Sequence, residues 1–292
     1  MGDQKSQGES LLPPNALANV RLGISVSDSP DLARLGLLET HFRLALGEIA
    51  RCVLVSGGHL AYGGHLKPDG YTAFLMQELH RFSRRDRPLH ICLAWQEHRN
   101  LSLAALREQQ KTLGLHGKFI FLAPNGEPID PYLNRSEEPV SEPPSDSARK
   151  SLTSMRQFMS KHTSGRILIG GKREGFHGYI PGLIEETLLA LESNQPIYLA
   201  GGFGGVTADI IRALGVDDGS WLIRRADAAP PDKRLLNGLA LLADIQKRKK
   251  WSGLQNGLTE EENRKLSASH RPSEIAALIS LGLGRRFATA NR

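Results

Sequence analysis

The stretch RILIGGKREGFHGYIPGLIEETLLALESNQPIYLAGGFGG, residues 166–205, decides the fold. Arg166 to Ile169 is a short apolar run that ends in Gly170-Gly171, the pattern of a buried parallel strand entering a loop. Pro181 stands where a helix can begin, because the first turn does not need its missing N–H. Leu183, Ile184, Thr187, Leu188 and Leu191 follow at helical spacing, and Asn194-Gln195-Pro196 stops the helix. Pro196 to Ala200 reads as the next strand, followed at once by Gly201-Gly202-Phe203-Gly204-Gly205. Two parallel strands thus end in glycine-rich turns on one edge of a sheet, the edge where open α/β sheets bind ligands. Glycines let backbone approach a phosphate, and a helix N-terminus supplies N–H groups and positive potential. Glu185 and Glu186 fall in the first turn after the loop, where carboxylates also serve as simple partners of the helix dipole.

Working outward, Arg21–Val26 reads as the first strand, closed by Ser25, Ser27, Asp28 and Ser29. Those hydroxyls suit phosphate contact or helix capping. A helix is predicted over Leu32–Ala50. Cys52–Val55 reads as a second strand, and Ser56-Gly57-Gly58 as its turn. With that turn the glycine pattern occurs three times, which favours a ligand site over simple tight corners. Gly63-Gly64 follows, then a loop carrying His65, with His59 before it, and a helix over Tyr71–Arg84. Strands are expected at Leu89–Trp95 and Lys118–Leu122, with Asn100 capping a helix between them.

Residues 124–147 carry six prolines and six acidic residues against one arginine, the composition of an irregular insert, placed near the site mouth and partly mobile. A helix over Ala148–Lys161 carries Met155-Arg156. Later elements are a helix from Thr207 to Leu214, an edge strand at Gly219–Arg225, and helices at Leu235–Lys250, after Thr259 with its Glu262 capping box, and from a Ser273 cap. The expected organisation is a flexible leader over 1–19, a Rossmann-like α/β domain over 20–230 with a parallel sheet and helices on both faces, and a C-terminal helical appendage over 231–292.

Net charge is +6, and residues 233–292 hold twelve Lys and Arg against five Asp and Glu. Solvated helix faces explain this surplus, as does an anionic partner such as nucleic acid. No apolar run reaches the length of a membrane span and no signal-peptide core precedes the domain, so a cytoplasmic location is expected. Cys52 and Cys92 read as small buried hydrophobes in predicted strands. The ten histidines show no metal-ligand spacing, and neither a metal nor a cofactor is expected.

The order of a strand with a Ser-rich turn, a strand with a GG loop, a Met-Arg helix, and a strand with a glycine loop and Pro-Gly-x-x-Glu-Glu resembles the LOG/DprA-like Rossmannoid superfamily. Its nucleotide-sensing branch is called SLOG. The resemblance covers about residues 20–215. LVSGGHLAYGG (Leu54–Gly64) is similar to the first glycine loop of LOG proteins, Met155-Arg156 to their Met–Arg element, and ILIGG with PGLIEE to their second loop. LOG enzymes are phosphoribohydrolases, and the resemblance implies that Arg156 steadies phosphate or leaving-group charge. Glu185 or Glu186 would then stabilise a ribosyl cation or activate water. The chain departs from the pattern: Gly170-Gly171 and Pro181-Gly182 are separated by KREGFHGYI, and Leu183-Ile184 replaces Gly-Thr. Lys172 and Arg173 are then available to a pyrophosphate.

SLOG resemblance implies binding of NAD-derived or cyclic nucleotides and control of a separate effector, including in antiviral defence. A homo-oligomer, by default a dimer, is expected. Ligand contacts are expected at Ser25, Ser27, Ser56, Gly57, Gly58, Gly170, Gly171, Lys172, Pro181, Gly182 and Gly201–Gly205. Three functions are weighed, in this order: a sensor of NAD, ADP-ribose or cyclic ADP-ribose, an N-glycosidase on nucleotides, and a DprA-like nucleic-acid binder.

Overall fold

The computed structural model describes residues 12–81, 86–140, 145–222, 230–248 and 253–288. Six parallel strands form one sheet: β1 (Arg21–Ser27), β2 (His59–Gly63), β3 (Leu89–Leu93), β4 (Gly117–Phe121), β5 (Gly165–Gly170) and β6 (Ile197–Ala200). Their order across the sheet is β4-β3-β2-β1-β5-β6, and every pairing is parallel. The Rossmann-like α/β class expected from the sequence is therefore the class observed.

Alternation along each strand sorts the helices onto two faces. Leu22, Ile24, Val26, Leu60, Tyr62, Ile167 and Ile169 point to a core shared with α1 (Glu39–Val55), α2 (Tyr71–His80) and α4 (Leu103–Leu113). The same core receives Leu266 from α10 (Glu260–Ala268), and Ile275, Ile279 and Leu283 from α11 (Pro272–Phe287). The C-terminal helices thus pack directly on α1 and the sheet. On the other face, Leu168, Ile197 and Leu199 meet α7 (Gly182–Glu192), α8 (Gly205–Ala213) and α9 (Lys233–Arg248). Ala61 and Cys92 there meet Met155 and Met159 of α6 (Asp146–Lys161). The outer margin of β6 is occupied by the segment before α10: the Ile197 amide donates to the Leu254 carbonyl at 3.0 Å, and Asn256 Nδ2 donates to the Ile197 carbonyl at 2.8 Å.

Several expectations are corrected. Cys52–Val55 is the last turn of α1, not a strand. Phe42, Ala45, Leu46, Ile49, Ala50, Val53 and Leu54 form one unbroken buried helical stripe, which overrides the β propensity of the two valines. The strand is instead His59–Gly63, and the pair that ends it is Gly63-Gly64. The helix begins at Glu39, after a 3-10 turn at Ala33–Leu35 that Gly36 closes at φ 68°. Asn100 closes a short helix, α3 (Trp95–Arg99), and Ser102 caps α4 by accepting from the Ala105 amide at 3.1 Å. Ser273 lies inside α11, which opens on Pro272.

The proline-rich segment is tied down rather than loose over 124–140. Leu122 and Pro128 form an antiparallel bridge, Pro131–Asn134 forms the short helix α5, and Arg135 donates to the His98 and Leu101 carbonyls. Gly219–Leu222 forms a turn rather than a strand, and Ile223–Arg225 fall outside the described residues, as do most of the leader and Trp251. No helix among the described residues is long and apolar enough to cross a membrane.

Ile279 is fully buried between α11 and the α1 side of the core. Ile279→Ala is expected to cost about 2–5 kcal/mol. Urea unfolding would show it as a lower midpoint with an unchanged slope.

Candidate functional site

The chain leaves β1 towards β2 by one face and arrives at β5 from the other, so the order reverses between β1 and β5. Outside the carboxyl ends of those two strands lies the crevice that this topology creates. Segments 27–31, 63–67, 170–181 and 201–205 emerge at that rim.

Beneath the crevice sits a buried charge network. Arg166 on β5 is fully buried and reaches across to β1. Gly23 makes room for it, since a Cβ there would lie 3.2 Å from the guanidinium. Arg166 donates to Ser25 Oγ and to Glu186 Oε2, each at 3.0 Å, and the Ser25 hydroxyl donates to the same carboxylate oxygen. Arg156, from α6, pairs with Glu185 and lies 3.9 Å from Glu186 Oε1. Thr153 Oγ1 donates to Glu185 Oε1 at 2.6 Å. Gly182 admits Arg156, whose nitrogen would stand 2.7 Å from a Cβ at that position. Two guanidinium and two carboxylate groups therefore balance in charge. The Arg156 Nε and the Arg166 Nε and Nη2 are buried and make no hydrogen bond among the described residues. Arg156, Glu185, Glu186 and Ser25, all named from the sequence, are brought together in this network. Arg166 was not among the candidates, although an arginine inside an otherwise apolar strand was the available signal.

The rim above carries the polar corner. Ser27 Oγ accepts the Lys172 amide at 3.1 Å, and the Ser27 carbonyl accepts the Gly171 amide at 2.9 Å. Lys172 Nζ lies 2.9 Å from Asp28 Oδ2, and Tyr71 OH donates to Asp28 Oδ1 at 2.9 Å. Burial pushes the Asp28 carboxyl up, but Lys172 and Tyr71 outweigh it and hold it below its ordinary range. Gly170 and Gly171 have φ of 68° and 113°, and a Cβ on Gly170 would lie 2.5 Å from the Ser27 carbonyl. Only glycine fits that turn. Residues 172–180 donate no backbone–backbone hydrogen bond among the described residues, and the Gly182 and Leu183 amides at the start of α7 likewise have no partner there. The Gly182 and Leu183 amides are the orphan donors of a helix N-terminus.

Around the mouth stand His65, already named from its loop, and groups the sequence did not single out. Tyr62, at the end of β2, is buried, and its hydroxyl makes no hydrogen bond among the described residues. Burial, then Glu186, Asp28 and Glu97, push its ionisation up. Burial pushes the Glu97 carboxyl up against the opposing pull of His177 and Lys67. Burial, Lys67 and Lys172 push the His65 imidazole down. Glu97 follows β3, His65 and Lys67 follow β2, and His177 follows β5, so only the sheet order brings them together. Among the described residues no three His, Cys, Asp or Glu side chains gather as a metal-binding set.

Two expected corners do not belong to this site. Ser56-Gly57-Gly58 precedes β2 and lies at the opposite, amino-terminal edge of the sheet. There the Ser56 carbonyl accepts the Leu17 amide at 2.8 Å, and a Cβ on Gly57 would meet Asn15 at 2.8 Å. His59 starts the same strand and lies 3.7 Å from Asp86. Gly201–Gly205 is at the right edge but closed. The Gly205 amide donates to Asp31 Oδ2 at 2.7 Å, and the Val206 amide to the Gly171 carbonyl at 3.0 Å. Gly201 and Gly202 are pressed against the Ser267 and Ser269 carbonyls, and Phe203 packs edge-on against Phe42. Arg173 is also committed: it lies 2.8 Å from Asp31 Oδ2 and grips Asp209 at 2.6 and 3.1 Å, so it is not available to a pyrophosphate. In the basic C-terminal region, Arg285 pairs with Glu262 at 2.6 Å and Lys265 with Glu274 at 3.2 Å.

Burial pushes the Asp31 carboxyl up, and the Gly205 amide, Arg173 and Arg34 together hold it below its ordinary range. A depressed carboxyl stabilises the fold above its unfolded pKa, near ~3.9, and loses that contribution as pH falls through the folded value. Asp31→Asn is therefore expected to destabilise the protein at neutral pH by about 3–5 kcal/mol. Its unfolding free energy should also fall less steeply than that of the wild type below pH ~4 in acid titrations followed by urea unfolding.

A family model described as SLOG cluster 2 matches residues 16–266. No curated protein and no solved structure matches the chain.

Proposed function

Because the chain belongs to the SLOG cluster 2 family, we propose that it binds a phosphorylated nucleotide derivative of the NAD, ADP-ribose or cyclic ADP-ribose class in the β1/β5 crevice, and acts as a sensor. The observation that carries this reading is the rim itself. At the topological switch point unpartnered amides open α7, and the Ser27 hydroxyl accepts the Lys172 amide. Together they supply N–H donors, helix-end potential and, in the Lys172 side chain, one half-exposed cation, which a phosphate or pyrophosphate group could draw from its exposed partner Asp28. The loop over 172–180 is long enough to follow a ligand larger than a monophosphate. The carboxylates below are occupied: Glu186 holds Arg166 and Ser25, and Glu185 holds Arg156 and Thr153. That arrangement supports binding more than turnover. Regulation of a separate effector, in an antiviral setting, is the role this reading assigns.

A second reading, an N-glycosidase acting on nucleotides, is supported by one observation: Arg156 stands beside both glutamates. Calorimetry against NAD, ADP-ribose and cyclic ADP-ribose should find at least one that binds, and Lys172→Ala should weaken it by about tenfold. No heat with any of the three would reject the sensor. Base release by the wild-type protein that disappears in Glu186→Gln would put the hydrolase in its place.

A further inference from the structure

The α6 face of the sheet is incompletely roofed. Beyond the last turns of α6, over β3 and β4, lies a cavity of about 380 Å3. It reaches towards the amino-terminal half of the strands, away from the crevice, because Arg21 at the start of β1 and His162 after α6 belong to its wall. Its walls combine an apolar surface from Cys92, Ile120, Phe158 and Met159 with Arg21, His90 and Lys118. Burial pushes the Cys92 thiol up to about 12, so the cysteine is an apolar wall and not a nucleophile.

The cations of this cavity are not compensated. No Asp or Glu lines it. Among the described residues neither Arg21 nor Lys118 has a carboxylate within ion-pair distance; Arg21 donates to the His162 carbonyl at 3.1 Å, and its Nε is buried without a partner. His90 is only 5% exposed and makes no hydrogen bond among the described residues. Burial, then Arg21, Lys118 and His59, push its imidazole down to about 3, which leaves a neutral ring with one donor and one acceptor. The Arg21 Nε is a buried polar group without a hydrogen-bond partner, a cost that a ligand can remove. Positive potential over an apolar floor selects an anion with a hydrocarbon body, and the volume, at the small end for ligand sites, excludes a dinucleotide.

We propose that this cavity is a second ligand site, separate from the nucleotide crevice, that takes a small amphipathic carboxylate: the carboxylate towards Arg21, His90 and Lys118, the hydrocarbon against Ile120, Phe158 and Met159. Calorimetry of the full chain with 3-phenylpropionate and with octanoate tests it, with 3-phenylpropanamide as the uncharged control. At least one carboxylate should bind with one-to-one stoichiometry at millimolar concentration or below, and the amide at least about tenfold more weakly. Lys118 is exposed, so Lys118→Glu should fold as the wild type does, weaken the carboxylate at least about tenfold and leave any nucleotide binding unchanged. In the wild-type protein the His90 ring resonances should shift on saturation with the carboxylate. No carboxylate binding, equal binding of the amide, an unaffected Lys118→Glu or an unmoved His90 ring would each overturn the proposal. A failure of nucleotides to bind would count against the crevice reading alone.

Discussion

One buried interaction organises the molecule: the Arg166 guanidinium held between Ser25 and Glu186. A charge with no exposure needs a partner in a fixed place, because breaking such a pair leaves an uncompensated ion in low dielectric. Here the partners come from three elements. Arg166 belongs to β5, Ser25 to β1 and Glu186 to the first turns of α7. The network therefore ties the pairing of the two central strands to the seating of the helix that follows, and with it the position of the α7 amides at the rim. Gly23 shows how closely backbone and charge are fitted, since any side chain there would meet the guanidinium. An apolar substitute for the network could be as stable. It would not fix α7 relative to β1 with the same geometry.

The same logic separates the two glycine corners of the carboxyl edge. Gly170-Gly171 bends so that the chain can pass Ser27, and the first α7 amides are left without a backbone partner. Gly201–Gly205 bends so that the protein can fill its own helix N-terminus with Asp31, which then recruits Arg173. Both are glycine-rich strand-to-helix turns, yet one presents donors and the other consumes them. Composition alone does not distinguish them; the carboxylate at the second corner does.

How much could be read from the chain follows from where each contact's information lies. β1, β5 and β6 are apolar runs between strong punctuation, so their existence was legible. β2 was not, because HLAYG is short and mixed, while the neighbouring CVLV looks more strand-like than the helix turn it is. That error moved Ser56–Gly58 to the wrong edge of the sheet. In the site, Arg156, Glu185 and Glu186 were visible as motif residues. Glu97 and His177 were not, since their meeting depends on the strand order. The Asp31–Gly205 contact spans 174 residues and carries no local mark at either end.

The seal along β6 bears on self-association. With its first amide and carbonyl already engaged by Leu254 and Asn256, this flank of the sheet offers no template to an incoming strand there. A copy approaching this point would find the backbone groups of Ile197 already satisfied, so contact there would proceed through side chains, whose chemistry can discriminate partners where backbone cannot.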